Sequence, residues 1–195
     1  MLFGELPIDV GALAAVLCGK IPPLARKLAE ETGRNQCRDG VWTDAVYQVL
    51  KREGDGLQMT VHCMGHGNPG WLFDVVWKLP NDSGLAMICE SEWSQNSSGV
   101  VYDFRKLLVG KAPLKLLIYD GGNCERDGQG VRDEIKKVME AYRFHVQNEV
   151  YLLVSLGNFG KNPYAHEFVV PNDGPVEDVR FLRIGTEEKK RAAAS

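Results

Sequence analysis

Residues 71–93, WLFDVVWKLPNDSGLAMICESEW, decide how this chain is read. Two apolar runs flank Pro80-Asn81-Asp82-Ser83-Gly84, a cluster of turn-forming residues, so the stretch is predicted to be a β-hairpin. Three acids interrupt it: Asp74 near the start of the first run, Glu90 and Glu92 near the end of the second. A carboxylate is costly to bury unless something pairs with it, and several in core-like sequence imply a shared cation. In an antiparallel hairpin the start of one strand lies beside the end of the next, which brings Asp74 next to Glu90. Glu92, two residues on, shares the face of Glu90. The pattern points to a metal-dependent hydrolytic site.

Working outward, LQMTVHCM (57–64) is a third strand-like run, separated from the hairpin by GHGNPG (65–70). Such short connections predict an antiparallel meander. Residues 9–32 read as one or two helices broken at Pro22-Pro23, because proline stops a helix at the residue before it. Val46, Val49 and Leu50 fall at helical spacing within 42–53, with Thr43 as the expected N-cap. Downstream, the polar SQNSSG (94–99) leads into YDFRKLLVGKA (102–112), where Phe104, Leu107 and Leu108 make a short amphipathic helix with Asp103 near its N-terminus.

The continuous apolar runs LKLLIYD (114–120) and VYLLVSLG (150–157) predict strands covered on both faces. Between them lie a Gly-rich loop, GGNCERDGQG (121–130), and a helix over 131–145. EFVVP (167–171) and VRFLRI (179–184) are expected as peripheral strands. The order is helix, helix, three strands, helix, strand, helix, strand and a small β addition. It predicts an α/β fold: a mixed β-sheet, part antiparallel meander and part parallel crossover strands, flanked by helices. One domain over 1–186 is expected, its core at about 42–157, followed by a solvated tail over 187–195.

With 195 residues, 44% of them hydrophobic and 25% charged, the chain has enough apolar material for one proper core. A formal net charge of −3 gives no support to a dedicated nucleic-acid binder, which is usually basic overall. No apolar run approaches the ~20 residues that span a bilayer. Glu5 and Asp9 stand where a signal peptide carries positive charge, so a cytoplasmic protein is expected. Five cysteines at irregular spacing, with no CxxC pair, argue for reduced thiols.

This element order, with acids in those strands, resembles the PD-(D/E)XK nuclease superfamily, whose restriction-endonuclease-like core runs helix, three antiparallel strands, helix, strand. Residues from about 42 to 120 match it in order. Phe73-Asp74-Val75 falls where the family carries its metal-binding Asp, and Cys89-Glu90-Ser91-Glu92-Trp93 falls at its (D/E)XK element. Two departures stand out: no proline precedes Asp74, and Glu92 replaces the usual Lys. In some members a Lys from the following helix substitutes, and Lys106 is placed to do so.

The resemblance implies Mg²⁺ or Mn²⁺ held by Asp74, Glu90 and the Ser91 carbonyl. Asp74, Glu90, Glu92 and Lys106 would form the catalytic set. Such an ion polarises water and binds a phosphate oxygen, while Glu92 accepts a proton and Lys106 offsets charge on the phosphate. Arg105 and Lys111 are the expected phosphate contacts. The expected partner is nucleic acid, DNA foremost, with no membrane partner and with homodimerisation left open.

Two other readings stay open. The same fold can serve as a non-catalytic interaction module with a degenerate acidic site, or the 120–130 loop can bind a nucleotide. His62-Cys63 with His66 offers zinc-ligand types, but adjacent strand residues face opposite sides and no fourth ligand is near. The Gly-rich loop lacks both GxGxxG and GxxxxGK[ST], and Cys124 within it has no partner base.

Overall fold

Buried on both faces, β4 (Leu114–Tyr119) and β5 (Val150–Ser155) form the centre of a seven-stranded sheet. The computed structural model describes residues 8–32, 39–64, 72–93, 96–120, 129–157, 163–172 and 174–183. The remaining strands are β1 (Thr60–Cys63), β2 (Val75–Lys78), β3 (Leu85–Glu92), β6 (Tyr164–Val169) and β7 (Glu177–Arg183). The helices are α1 (Val10–Thr32), α2 (Asp39–Gly56), α3 (Ser97–Val109) and α4 (Gln129–Ala141). Strand order across the sheet equals chain order, β1 to β7.

The β1–β2–β3 meander is antiparallel, with Cys63 opposite Val75 and Val75 opposite Cys89. β3–β4 and β4–β5 are parallel, crossed by α3 and α4. β6 and β7 return antiparallel. This is the α/β mixed sheet the element order predicts.

Strand alternation divides the interior into two cores. Met87, Cys89, Leu114, Leu116, Ile118, Leu152 and Val154 turn towards α1 and α2, whereas Ile88, Leu117, Tyr119, Tyr151 and Leu153 turn towards α3 and α4. A continuous apolar run is therefore what a central strand needs. Truncating any one of these leucines to alanine should cost about 2–5 kcal/mol.

Four sequence expectations are corrected. α1 is not broken at Pro22-Pro23 but runs through both. Its buried positions Ala14, Leu17, Cys18, Ile21, Ala25 and Ala29 form one stripe across the prolines, and burying it holds the helix on course despite the lost amide donors. α2 begins at Asp39, so Thr43 lies inside the helix and is not its N-cap; its Oγ1 accepts a hydrogen bond from Trp93 Nε1 at 3.0 Å.

α3 begins at Ser97 within the polar stretch, because Asn96 caps it by accepting from the Gly99 N–H at 2.8 Å. Asp103 consequently lies in mid-helix, not near the N-terminus. Asp74 lies in a bend one residue before β2, though its carbonyl still accepts from Met64 N–H at 2.9 Å. His66, Trp71, Cys37, Cys124, residues 121–128 and the 187–195 tail lie outside the described residues.

At the far end of α3, Gly110 leaves no room for a side chain: a Cβ there would run into Ile88 and Phe73. This close approach presses the end of α3 onto the sheet and sets which of its residues reach β3. No helix among the described residues is long and apolar enough to cross a membrane.

Candidate active site

Alternation along β3 turns Ile88, Glu90 and Glu92 towards α3, whose inward stripe is Val100, Asp103, Phe104 and Leu107. Below the acids that stripe is apolar. Beside them it becomes polar, and Asp103 and Lys106, one turn apart, meet Glu90 and Glu92. Lys106 Nζ donates to Glu90 Oε2 at 2.6 Å and pairs with Asp103 Oδ1 at 2.8 Å. Glu92 also lies against Asp103, and its presence adds to the rise in the Asp103 carboxyl.

Glu90 is 1% exposed, and its Oε1 has no hydrogen-bond partner among the described residues. Burial pushes its carboxyl up to about 8; the Lys106 hydrogen bond pulls the other way, and the Asp74 charge adds to the rise. Asp103 is also raised, chiefly by burial, against the pull of Lys106. Burial draws the Lys106 ammonium down, but Asp103 and Glu90 outweigh that and hold it charged well above the ordinary lysine range.

Asp74 reaches the same strand end from the bend just before β2. Its Oδ2 accepts from Ser91 N at 2.8 Å and Ser91 Oγ at 2.7 Å, so Ser91 orients this carboxylate by main chain and side chain together. Among the described residues no three His, Cys, Asp or Glu side chains converge closely enough to hold a metal ion. The donor set suits a small hard cation in a more limited way. Asp74 and Glu90 supply carboxylate oxygen, and the partnerless Oε1 of Glu90 is a buried acceptor that a cation would satisfy.

The structure thus brings together Asp74, Glu90, Ser91, Glu92 and Lys106. It does not bring Arg105 and Lys111 to them. Arg105 lies on the exposed outer side of α3, and Lys111, also exposed, precedes β4 at the opposite end of the sheet. Two acids escaped the sequence reading. Asp103 was legible as the charged member of an otherwise apolar i, i+3, i+4, i+7 stripe. Asp120, 2% exposed, ends the LKLLIYD run, and its N–H donates to the Glu92 carbonyl at 3.1 Å. The site therefore occupies the carboxyl ends of parallel strands, the usual ligand position in such sheets.

A second buried cluster lies on this face at the other end of the strands. Lys115, fully buried within β4, pairs with Glu149 Oε1 at 2.7 Å and donates to Tyr151 Oη at 3.0 Å. Tyr151 donates to Glu149 Oε2 at 2.9 Å. His145 shares a 3.1 Å hydrogen bond with Tyr151, and its Nε2 donates to the Met139 carbonyl at 2.9 Å. A lysine inside an unbroken apolar run was the signal for it.

A scan of protein-family models and a search of curated proteins return no match for this chain.

Proposed function

We propose that this chain is a metal-dependent phosphodiester hydrolase acting on nucleic acid, DNA foremost, with a restriction-endonuclease-like core. The observation that carries the reading is the contact between Lys106 and Glu90 at 2.6 Å. It supports a lysine relocated from the strand motif to the following helix, opposite a carboxylate whose second oxygen has no partner. The helix–meander–helix–strand order agrees with such a core.

Asp74 and Glu90 would hold Mg²⁺ or Mn²⁺, with the Ser91 carbonyl and waters completing the shell. Bound there, the ion supplies Lewis-acid polarisation of water and neutralisation of phosphate charge. The chain's own residues supply the rest. Lys106, kept charged by its two acids, offsets negative charge developing on the phosphate. Glu92, and Asp103 with its raised carboxyl, are placed to give a proton to or take one from an oxygen at the strand ends. Ser91 fixes the direction of Asp74. Free buried thiols at Cys18, Cys63 and Cys89 accord with a reducing, cytoplasmic setting.

Plasmid nicking with Mg²⁺ or Mn²⁺, alongside single-stranded DNA and RNA, tests the proposal. Asp74→Ala and Glu90→Gln should each lower cleavage by at least about 10²-fold, on the scale of lost electrostatic catalysis, while circular dichroism shows that the chain is still folded. Full activity in either variant removes it.

One observation favours a second reading, a non-catalytic module of the same fold: Lys106 already neutralises part of the acidic cluster without any ion. Calorimetric titration with Mn²⁺ separates the two, since the module requires no metal binding at Glu90.

A further inference from the structure

α3 and α4 lie side by side on the sheet, and their outer faces leave a cleft of about 420 Å³. Leu108 and Val109 line it from α3, Ala141 and Tyr142 from the end of α4. Two cations complete the lining, Arg105 from one wall and Lys137 from the other. Their chain neighbours are engaged: Lys106 pairs with Glu90 and Asp103, and Lys136 lies 4.0 Å from Glu140. Arg105 and Lys137 form no ion pair among the described residues.

The apolar surface continues beyond the cleft. Val109 is 61% exposed, Tyr102 66% and Phe144 79%. Tyr102, Arg105 and Val109 follow one another at i, i+3 and i+7 along the outer side of α3. The Phe144 ring stands 6.0 Å from that of Tyr142. An apolar strip of this length is unusual on a surface that stays in water, and it runs further than a small ligand in the cleft could cover.

Charge chooses the occupant. Tyr142, the one ring lining the cleft, is met edge-on by Phe144 and His145, and the chain is net negative, which disfavours nucleic acid as the occupant. A second copy docked through the same cleft about a two-fold axis would bring Arg105 and Lys137 against their own equivalents. A groove between two helices accepts a third helix by ordinary ridge-and-groove contact, and one cation on each wall calls for an acid on each flank of its apolar stripe.

We propose that the α3–α4 cleft docks an amphipathic helix of a protein partner whose apolar stripe is flanked on both sides by acidic residues, the helix-in-groove mode of recognition. This site is separate from the Glu90 cluster and does not depend on the hydrolase reading.

The probe is a fluorescent helical peptide of about 18 residues, five turns, with leucines at i, i+3, i+4 and i+7 between flanking glutamates. Its control carries lysines in place of the glutamates. Anisotropy titration of the full chain should favour the acidic peptide by at least about tenfold. Arg105→Glu with Lys137→Glu should invert that preference. Val109→Asp should abolish binding while the unfolding midpoint stays put, since Val109 is 61% exposed.

Several results overturn the proposal: no binding of the acidic peptide, equal affinity for both peptides, or unaltered binding by Val109→Asp. Light scattering that shows a dimer dispersed by Val109→Asp assigns the cleft to a second copy instead. Duplex DNA binding that the charge reversal removes, without peptide binding, assigns it to nucleic acid.

Discussion

Two lysines meet carboxylates on the same face of the sheet, at opposite ends of the strands, and the two ends solve the problem differently. Around Lys115, both Glu149 oxygens, the Tyr151 hydroxyl and both His145 nitrogens have partners, and the lysine is sealed from solvent. Around Lys106 the account does not close: among the described residues Glu90 keeps one buried oxygen without a partner, and the lysine side chain is 28% exposed. A satisfied buried network rigidifies a fold; a partly satisfied one stores a capacity to bind. The difference separates a closed network from an open one within one layer of side chains.

Removing a lysine from each end breaks the comparison most directly. Lys115→Met leaves Glu149 sealed in the interior without its counter-charge and should cost about 3–5 kcal/mol in urea unfolding. The double variant Lys115→Met/Glu149→Gln should regain part of that. Lys106→Met should cost less, about 1–2 kcal/mol, because Glu90 already tends to hold a proton and can do so more firmly. Equal losses at the two ends would mean that Lys106–Glu90 is a structural pair like the other.

Titration should next separate the ends by sign. The Glu90 carboxyl is raised from 4.5 to about 8, so the folded chain binds that proton more tightly than the unfolded one. Its contribution to stability is complete below about pH 4.5 and is lost as pH rises through 8. Glu149 runs the other way. Burial raises it, but His145 at 3.7 Å and hydrogen bonds from Lys115 and Tyr151 together hold it below the ordinary range. Its contribution is present above the ordinary carboxyl value and disappears as pH falls through the lowered one. Unfolding curves of Glu90→Gln and Glu149→Gln, each subtracted from the parent across pH, should slope in opposite directions; parallel slopes would refute the contrast.

The smallest effect concerns orientation. Ser91→Ala removes one of the two donors to Asp74 Oδ2 and leaves the main-chain N–H, so about 1 kcal/mol is expected. A change much larger than this in the urea midpoint would make Ser91 a fold determinant, not a support for the carboxylate.

Much of this architecture was legible because it depends on local chemistry. PNDSG forces a reversal, and LKLLIY and VYLLVS have no polar side to show water, apart from Lys115. What escaped depends on contacts distant in sequence. Pro22-Pro23 reads as a stop until the buried stripe on both sides is seen. Asn96 reads as linker until its side chain is found capping Gly99. At the site, Asp74, Glu90 and Lys106 were readable from spacing and resemblance. Asp103 was hidden by a helix start placed too late, and Glu149 by its distance of 34 positions from Lys115. Arg105, read beside Lys106 as part of the same function, turns to the opposite side of α3, since adjacent helix positions diverge by about 100°.

A sheet whose strand order equals chain order carries a consequence for biosynthesis. Every strand pairs with the one made just before it, so each closure spans a short or moderate loop and none waits for a distant segment. Asp74, Glu90 and Lys106 all precede β4, whereas Glu149 and Tyr151 arrive with β5. A growing chain emerging from the ribosome can therefore bring the acidic hairpin and its helix into contact while the strands that will seal Lys115 are still unmade.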